Sequence, residues 1–203
     1  MRLLLTCLVA LVLAAPATAM VHLPEQLGPV KGNPADALLD VPIEDSRYDK
    51  ATRCTAKKRA GMVAFTAWLD RNADGVSWGS YRCEKWGKRS ASLHAEGRAL
   101  DWHLDASKAA DRTEAERLIT LLLAPDALGN PQALARRMGV QEIIWDCGYW
   151  GAWGGSEFSP YSPCVTRKGR PKKGVNATVA HRDHIHFGLT RDGSLGRTSF
   201  WSD

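Results

Sequence analysis

The chain has 203 residues, 44% of them hydrophobic and 24% charged. That composition excludes a disordered, collagenous or coiled-coil protein, and the length suffices for one domain with a real core. Lys and Arg number 27 against 22 Asp and Glu, a mildly basic formal charge of +5.

Met1-Arg2 is a short basic start, residues 3–15 are apolar except for Thr6 and Cys7, and Pro16 precedes Ala17-Thr18-Ala19. This is the layout of an export signal with a small-x-small cleavage site, so residues 1–19 are expected to be removed. The run falls short of the about 20 apolar residues that a membrane span needs. Cleavage removes Arg2 and no acid, leaving 26 − 22 = +4. Residues 20–50, rich in Pro, Gly and Asp, read as a leader or linker lying along a domain of residues 51–203, with only 35–39 looking helical.

Across residues 57–70, Met62, Phe65, Trp68 and Leu69 follow helical spacing, and Asn72-Ala73-Asp74-Gly75 supplies the turn that ends it. Residues 76–82 predict a short strand leading into a basic loop. From 99 to 104 the chain alternates, with Ala99, Asp101 and His103 on one face and Leu100, Trp102 and Leu104 on the other. Thr113-Glu114-Ala115-Glu116 predicts a capping box opening a helix that runs through Leu123. Asn130-Pro131 opens a shorter helix stopped by Gly139. Residues 140–145 predict a strand, 147–180 a long loop rich in Gly, Trp and basic residues, and 184–189 a last strand. The sum is an α+β domain, a small and mainly antiparallel sheet flanked by helices.

Of the five cysteines, Cys7 leaves with the signal segment. Cys54, Cys83, Cys147 and Cys164 form an even set without a C-x-x-C pair, which in an exported chain predicts disulfides rather than a thiolate metal site. Of the three possible connectivities, Cys54–Cys83 with Cys147–Cys164 is preferred, because each bridge closes a local loop.

Apart from His22, the histidines fall in two short windows, residues 94–103 and 181–186. His184 and His186 are two apart on a strand, so both imidazoles leave the same face, with Cα atoms about 6.5–7 Å apart. Asp101 faces one side of its own strand, His94 approaches from the preceding loop, and Gly97 lets that loop fold closely. Taken singly, each residue reads as a satisfied or solvent-facing side chain. Together, two imidazoles and one carboxylate suit Zn²⁺ and leave a fourth position for water.

His94-x6-Asp101 with His184-x-His186 resembles the signature of the zinc peptidases grouped with lysostaphin, the D-Ala-D-Ala peptidases and the Sonic hedgehog domain. Ser92-x-His94-x-x-Gly97-x-Ala99-x-Asp101 is similar to the D-alanyl-D-alanine metallopeptidase branch, and Ser80-Tyr81-Arg82 is similar to the S-x-Y-R segment upstream of its zinc motif. The resemblance spans about residues 76–189. It implies a hedgehog/D-Ala-D-Ala peptidase-like fold, zinc held by His94, Asp101 and His186, and Arg82 supporting a substrate carboxylate or the developing oxyanion. His181-x-x-His184-x-His186 is the arrangement of the murein endopeptidase branch, which implies His184 as general base or transition-state donor. Its rival is Asp183, standing where many D-alanyl-D-alanine metallopeptidases carry Glu. Ser92 and His181 join Arg82 as substrate-binding candidates.

The expectation is a secreted, periplasmic or wall-associated zinc peptidase that hydrolyses a D-amino-acid peptide bond in peptidoglycan, as carboxypeptidase or endopeptidase. Its expected partners are peptidoglycan stem peptides and an anionic wall polymer, the latter met by the basic run at residues 167–173. The expected state is a monomer without nucleic acid and without membrane insertion once the signal is gone. Trp150-Gly151-Ala152-Trp153 reads either as a substrate wall or as a disulfide-pinned apolar loop. A non-catalytic zinc domain binding wall peptide or protein is the alternative. A secreted metal nuclease fits less well, because the histidine windows follow the peptidase pattern.

Overall fold

The backbone of the molecule is a twisted antiparallel sheet, seen in a computed structural model that describes residues 27–202 apart from Ala56, Lys58 and Ser156. The expected signal segment, residues 1–19, lies outside the described residues. In chain order the elements are α1 (Ala60–Asn72), β1 (Val76–Gly79), β2 (Lys85–Gly87), β3 (Ser90–Ala91) and β4 (Ala99–His103). There follow α2 (Ala109–Leu123), α3 (Ala133–Met138), β5 (Val140–Trp145), β6 (Gly148–Gly151), β7 (Ser159–Pro160), β8 (Ile185–Leu189) and α4 (Arg191–Leu195). Six strands form one sheet in the order β1-β4-β8-β5-β6-β7, and β2 with β3 makes a separate hairpin. Every ladder is antiparallel, so the expected α+β class with a mainly antiparallel sheet holds.

Strand alternation sorts the two faces. Leu100, Trp102, Ile143, Trp145, Ile185, Phe187 and Leu189 enter the main core, where Phe65 and Trp68 of α1, Leu118 and Leu122 of α2 and Leu134 of α3 meet them. The opposite face carries Asp101, Glu142 and His186 from three adjacent strands. β8 lies in the middle, with His186 opposite Asp101 of β4 on one side and Ile144 of β5 on the other. A second small cluster of Ala51, Ala91, Leu93, Ala95 and Ala99 underlies the loop between β3 and β4.

Two expected elements differ from the observed ones. α2 begins four residues before Thr113, whose hydroxyl bonds the Ala109 carbonyl at 3.0 Å from inside the helix instead of capping it. The stretch 147–180 contains β6 and β7, and β6 pairs with β5 through a two-residue turn at Asp146 and Cys147. Both turn residues have positive φ, 40° and 65°, as a type I′ hairpin requires. The usual Asn-Gly signal is absent. The Asp146 and Cys147 amides are instead held by the His181 and Ala180 carbonyls at 2.7 and 2.9 Å. The disulfides are Cys54–Cys83 and Cys147–Cys164, the preferred connectivity, and their presence indicates folding in an oxidising compartment. Among the described residues, no helix is long and apolar enough to cross a membrane.

The described part of the leader is woven into the domain. Ala35 is buried, Leu27 and Ile43 pack on the core, and the Asp49 amide donates to Gln141 Oε1 at 2.7 Å. Beside it Arg98, fully buried, donates to Glu96 Oε2 at 3.0 Å and to the Leu189 and Asp49 carbonyls at 2.8 Å. Arg191 reaches the same Glu96 oxygen at 2.9 Å, and the Thr52 amide donates to Oε1 at 2.9 Å. Burial alone would raise the Glu96 carboxyl, but the Thr52 amide and the two guanidiniums outweigh it and hold it below its ordinary range.

Removing one partner of a buried ion pair leaves an uncompensated charge. Glu96→Ala is therefore expected to cost about 3–5 kcal/mol in a denaturant titration. Because the folded value lies below the unfolded one, the contribution is present above the ordinary carboxylate range and lost as pH falls through the folded value. The stability gap between wild type and Glu96→Ala accordingly narrows on acidification.

Candidate metal centre

His94 is set by a short 3-10 turn, Leu93–Glu96. The Ser92 hydroxyl caps that turn by accepting from the His94 amide at 3.3 Å. Gly97 closes it at φ 63°, where its amide reaches the His94 carbonyl and an added Cβ would lie 3.1 Å from the Lys57 carbonyl. Asp101 and His186 face each other across the β4–β8 ladder. Gly188, two residues on from His186, leaves the room the site face needs: a Cβ there would lie 2.4 Å from Leu93 and 3.0 Å from Glu142.

These three side chains converge, and all are buried. His94 Nε2 lies 3.1 Å from Asp101 Oδ1 and 3.2 Å from His186 Nδ1, and His186 Nδ1 lies 3.3 Å from the same Asp101 oxygen. A tetrahedral ion with bonds near 2.0–2.1 Å has ligand–ligand edges of about 3.3–3.4 Å. The triangle is within a few tenths of an ångström of one face of such a tetrahedron. His94, Asp101 and His186 can therefore hold a metal ion, and the donor set fits the expected one.

The outer nitrogens of both imidazoles are occupied, which turns the inner ones toward the triangle. His94 Nδ1 meets the Ser80 carbonyl at 3.1 Å, and His186 Nε2 meets Glu142 Oε1 at 3.0 Å. Outer partners of this kind fix tautomer and ring orientation in metal sites. The other Glu142 oxygen accepts from the Tyr48 and Tyr149 hydroxyls, each at 3.2 Å. Burial, then the nearby Glu142 carboxylate, pushes both phenols up, so they remain donors. Asp101 has its second oxygen bound by Arg82 Nη1 at 2.5 Å.

Electrostatics favours positive charge inside the triangle. Burial opposes ionisation of Asp101, yet hydrogen bonds from His186 and His94 hold its carboxyl well below the carboxylate range. Burial also opposes a charge on His186, but the Asp101 and Glu142 carboxylates push it up to about 9. His94 goes the other way, held down by burial, so its lone pair is available.

His184 flanks the triangle. Its Nδ1 is 2.7 Å from Asp183 Oδ1 and its Nε2 is 3.5 Å from Asp101 Oδ1, where it is buried without a hydrogen-bond partner. Asp183 is steadied by the Thr178 hydroxyl at 2.5 Å. The two rival candidates thus form one pair, with the carboxylate behind the imidazole. His181, at φ 52°, places its ring 4.6 Å from His184 and 5.7 Å from His186, and burial followed by repulsion from those two rings keeps it neutral. Arg82 is half-exposed and also donates to Glu84 at 2.6 Å. Trp78 stacks on His103 at 4.3 Å and forms the rim beside His184.

All the expected site residues except Ser92 bring a side chain to this face, while the Ser92 hydroxyl is used in capping. Glu142, Tyr48, Tyr149 and Thr178 were not expected there. Glu142 alone had a signal, a carboxylate amid Val140, Ile143, Ile144 and Trp145, since a buried charge needs a partner.

Glu142→Gln is expected to weaken divalent metal binding by about 10–100-fold, as loss of a partner behind a ligand does, read by competition with a chromogenic chelator. Tyr48→Phe removes one of two donors to Glu142 and should weaken binding by less.

No curated protein and no solved structure matches the chain. The family described as VldE, C-terminal domain, matches residues 54–171. That segment carries all four bridged cysteines together with Arg82, His94, Asp101 and Glu142, and ends before the window of His181, His184 and His186. With more than half of its length matched, the chain belongs to the VldE C-terminal domain family.

Proposed function

We propose that this protein is an exported zinc-dependent peptidase that hydrolyses a D-amino-acid peptide bond in peptidoglycan. The observation that carries the reading is the placement of an unpartnered, buried His184 Nε2 3.5 Å from the Asp101 oxygen that closes the ligand triangle. His94, Asp101 and His186 would hold the ion, and zinc suits two imidazoles and a carboxylate. When bound, zinc supplies Lewis acidity that polarises a carbonyl and lets water act as a nucleophile near neutral pH.

The chain's own groups do the rest. With Nδ1–H directed at Asp183, His184 presents the bare Nε2, which takes a proton from the attacking water and returns it to the leaving amine. Asp183 fixes that tautomer and stabilises the imidazolium as it forms, and Thr178 fixes Asp183. Arg82 holds Asp101 through Nη1 and offers its remaining donors to a substrate carboxylate or to the charge developing on the carbonyl oxygen. His181, neutral and with its buried Nδ1 unpartnered, is available to a substrate amide. The oxidising compartment indicated by the disulfides is where wall peptides are met, which supports peptidoglycan as the substrate class.

His184→Ala is expected to lower hydrolysis of a defined peptidoglycan digest by about 10²–10⁴-fold while the protein keeps its zinc, with products followed by mass spectrometry. His186→Ala should lose both. A wild-type protein that binds zinc stoichiometrically and releases no peptide would overturn the peptidase reading in favour of a non-catalytic binding domain.

A further inference from the structure

A cleft of about 160 Å³ is lined by Tyr149, Gly151, Trp153, Glu157, Phe158 and Ser159. Trp153 is 57% exposed, a costly position for an indole, yet its ring is fixed. The six-membered ring lies against Gly151, where a Cβ would come within 2.6 Å of it. Tyr48 packs edge-on at 4.5 Å and Tyr149 is tilted 46° to it at 5.8 Å. The loop carrying Trp153 is tied down as well. The Trp150 indole donates to the Gly155 carbonyl at 2.7 Å, and the Gly154 amide to the Gly151 carbonyl at 2.9 Å. An exposed aromatic side chain immobilised by neighbours is preorganised for a ligand.

The charge in the cleft selects the ligand. Ring faces carry negative quadrupole potential, and Glu157, exposed and without an ion-pair partner among the described residues, adds a carboxylate. Neither Lys nor Arg lines the cleft, although the chain as a whole carries +5. An ammonium group satisfies both features at once, the cation against the rings and its N–H donors on the carboxylate. A neutral sugar or an apolar side chain uses only the rings and leaves Glu157 without a counter-charge.

We propose that this cleft is a recognition site for a primary ammonium group on a flexible side chain. Its use as a substrate subsite rests on the peptidase reading above, in which it would seat an amine-bearing residue of the peptide. Tyr149 makes the link, walling the cleft with its ring while its hydroxyl bonds the Glu142 carboxylate behind His186.

The test is a titration of the mature chain with N-acetyl-lysine methylamide, following the Trp153 indole N–H by NMR, assigned through its loss in Trp153→Phe. The neutral isostere N-acetyl-norleucine methylamide and N-acetylglucosamine serve as comparison probes. The lysine probe is expected to give a saturable, salt-sensitive shift that the comparison probes do not match, and Glu157→Gln to weaken it roughly threefold to thirtyfold. Equal or tighter binding of the norleucine or sugar probe, no shift with the lysine probe, or an unchanged affinity in Glu157→Gln would overturn the proposal. The titration involves no hydrolysis, so failure of the ammonium site and failure of the peptidase reading are separate results.

Discussion

The structure turns on His186 being held between two carboxylates in the middle of the sheet. Asp101 comes from the strand on one side and Glu142 from the strand on the other, and both are buried with the imidazole. Two carboxylates this close to one another repel and are costly to bury unless positive charge lies between them. That constraint explains the raised imidazole, the lowered acids, the Arg82 contact to Asp101 and the two phenols on Glu142. It also explains why the ligand triangle suits a cation.

Holding such a group in place takes more than the sheet. The site face is roofed by segments from distant parts of the chain: the 3-10 turn bearing His94, the Ser80–Arg82 stretch anchored by the Cys54–Cys83 bridge, and the end of the leader at Tyr48. Each adds a hydrogen bond to a ligand or to the partner behind it. The Arg98–Glu96–Arg191 network, with Arg98 and Glu96 buried, starts from the same turn and ties it to the end of the leader through the Asp49 carbonyl and to the residues just after it through the Thr52 amide. The leader is thus part of the frame of the site, and its contribution is electrostatic as well as apolar.

Tyr149 and Tyr48 serve two regions at once. Their hydroxyls end on Glu142, and their rings brace Trp153. The β5–β6 turn makes this possible by reversing the chain in two residues, which brings Tyr149 back beside the strand that bears Glu142. The Cys147–Cys164 bridge closes the base of the same loop.

Much of this was legible in the sequence because it depends on local periodicity. Alternation placed Asp101 on one face of its strand and Trp102 on the other, helical spacing marked α1, and the two histidine windows with Asp101 supplied the candidate donors, among which the family resemblance implied His94, Asp101 and His186. The disulfide pairing followed from loop length. Tertiary structure decided what local rules do not encode. The turn at Asp146 and Cys147 adopts positive φ because carbonyls from residues 180 and 181 hold it, so its strand looked like a loop. Thr113 resembled a cap because its neighbours matched the pattern, while the helix had already begun. Glu142, Tyr48 and Thr178 acquired their roles only when antiparallel pairing and the leader brought them beside His186 and Asp183. The sequence by itself determined which residues have the chemistry to bind a metal and move a proton, since that depends on side-chain type. Only the fold decided which acid stands behind which imidazole, because that depends on register between strands far apart in the chain.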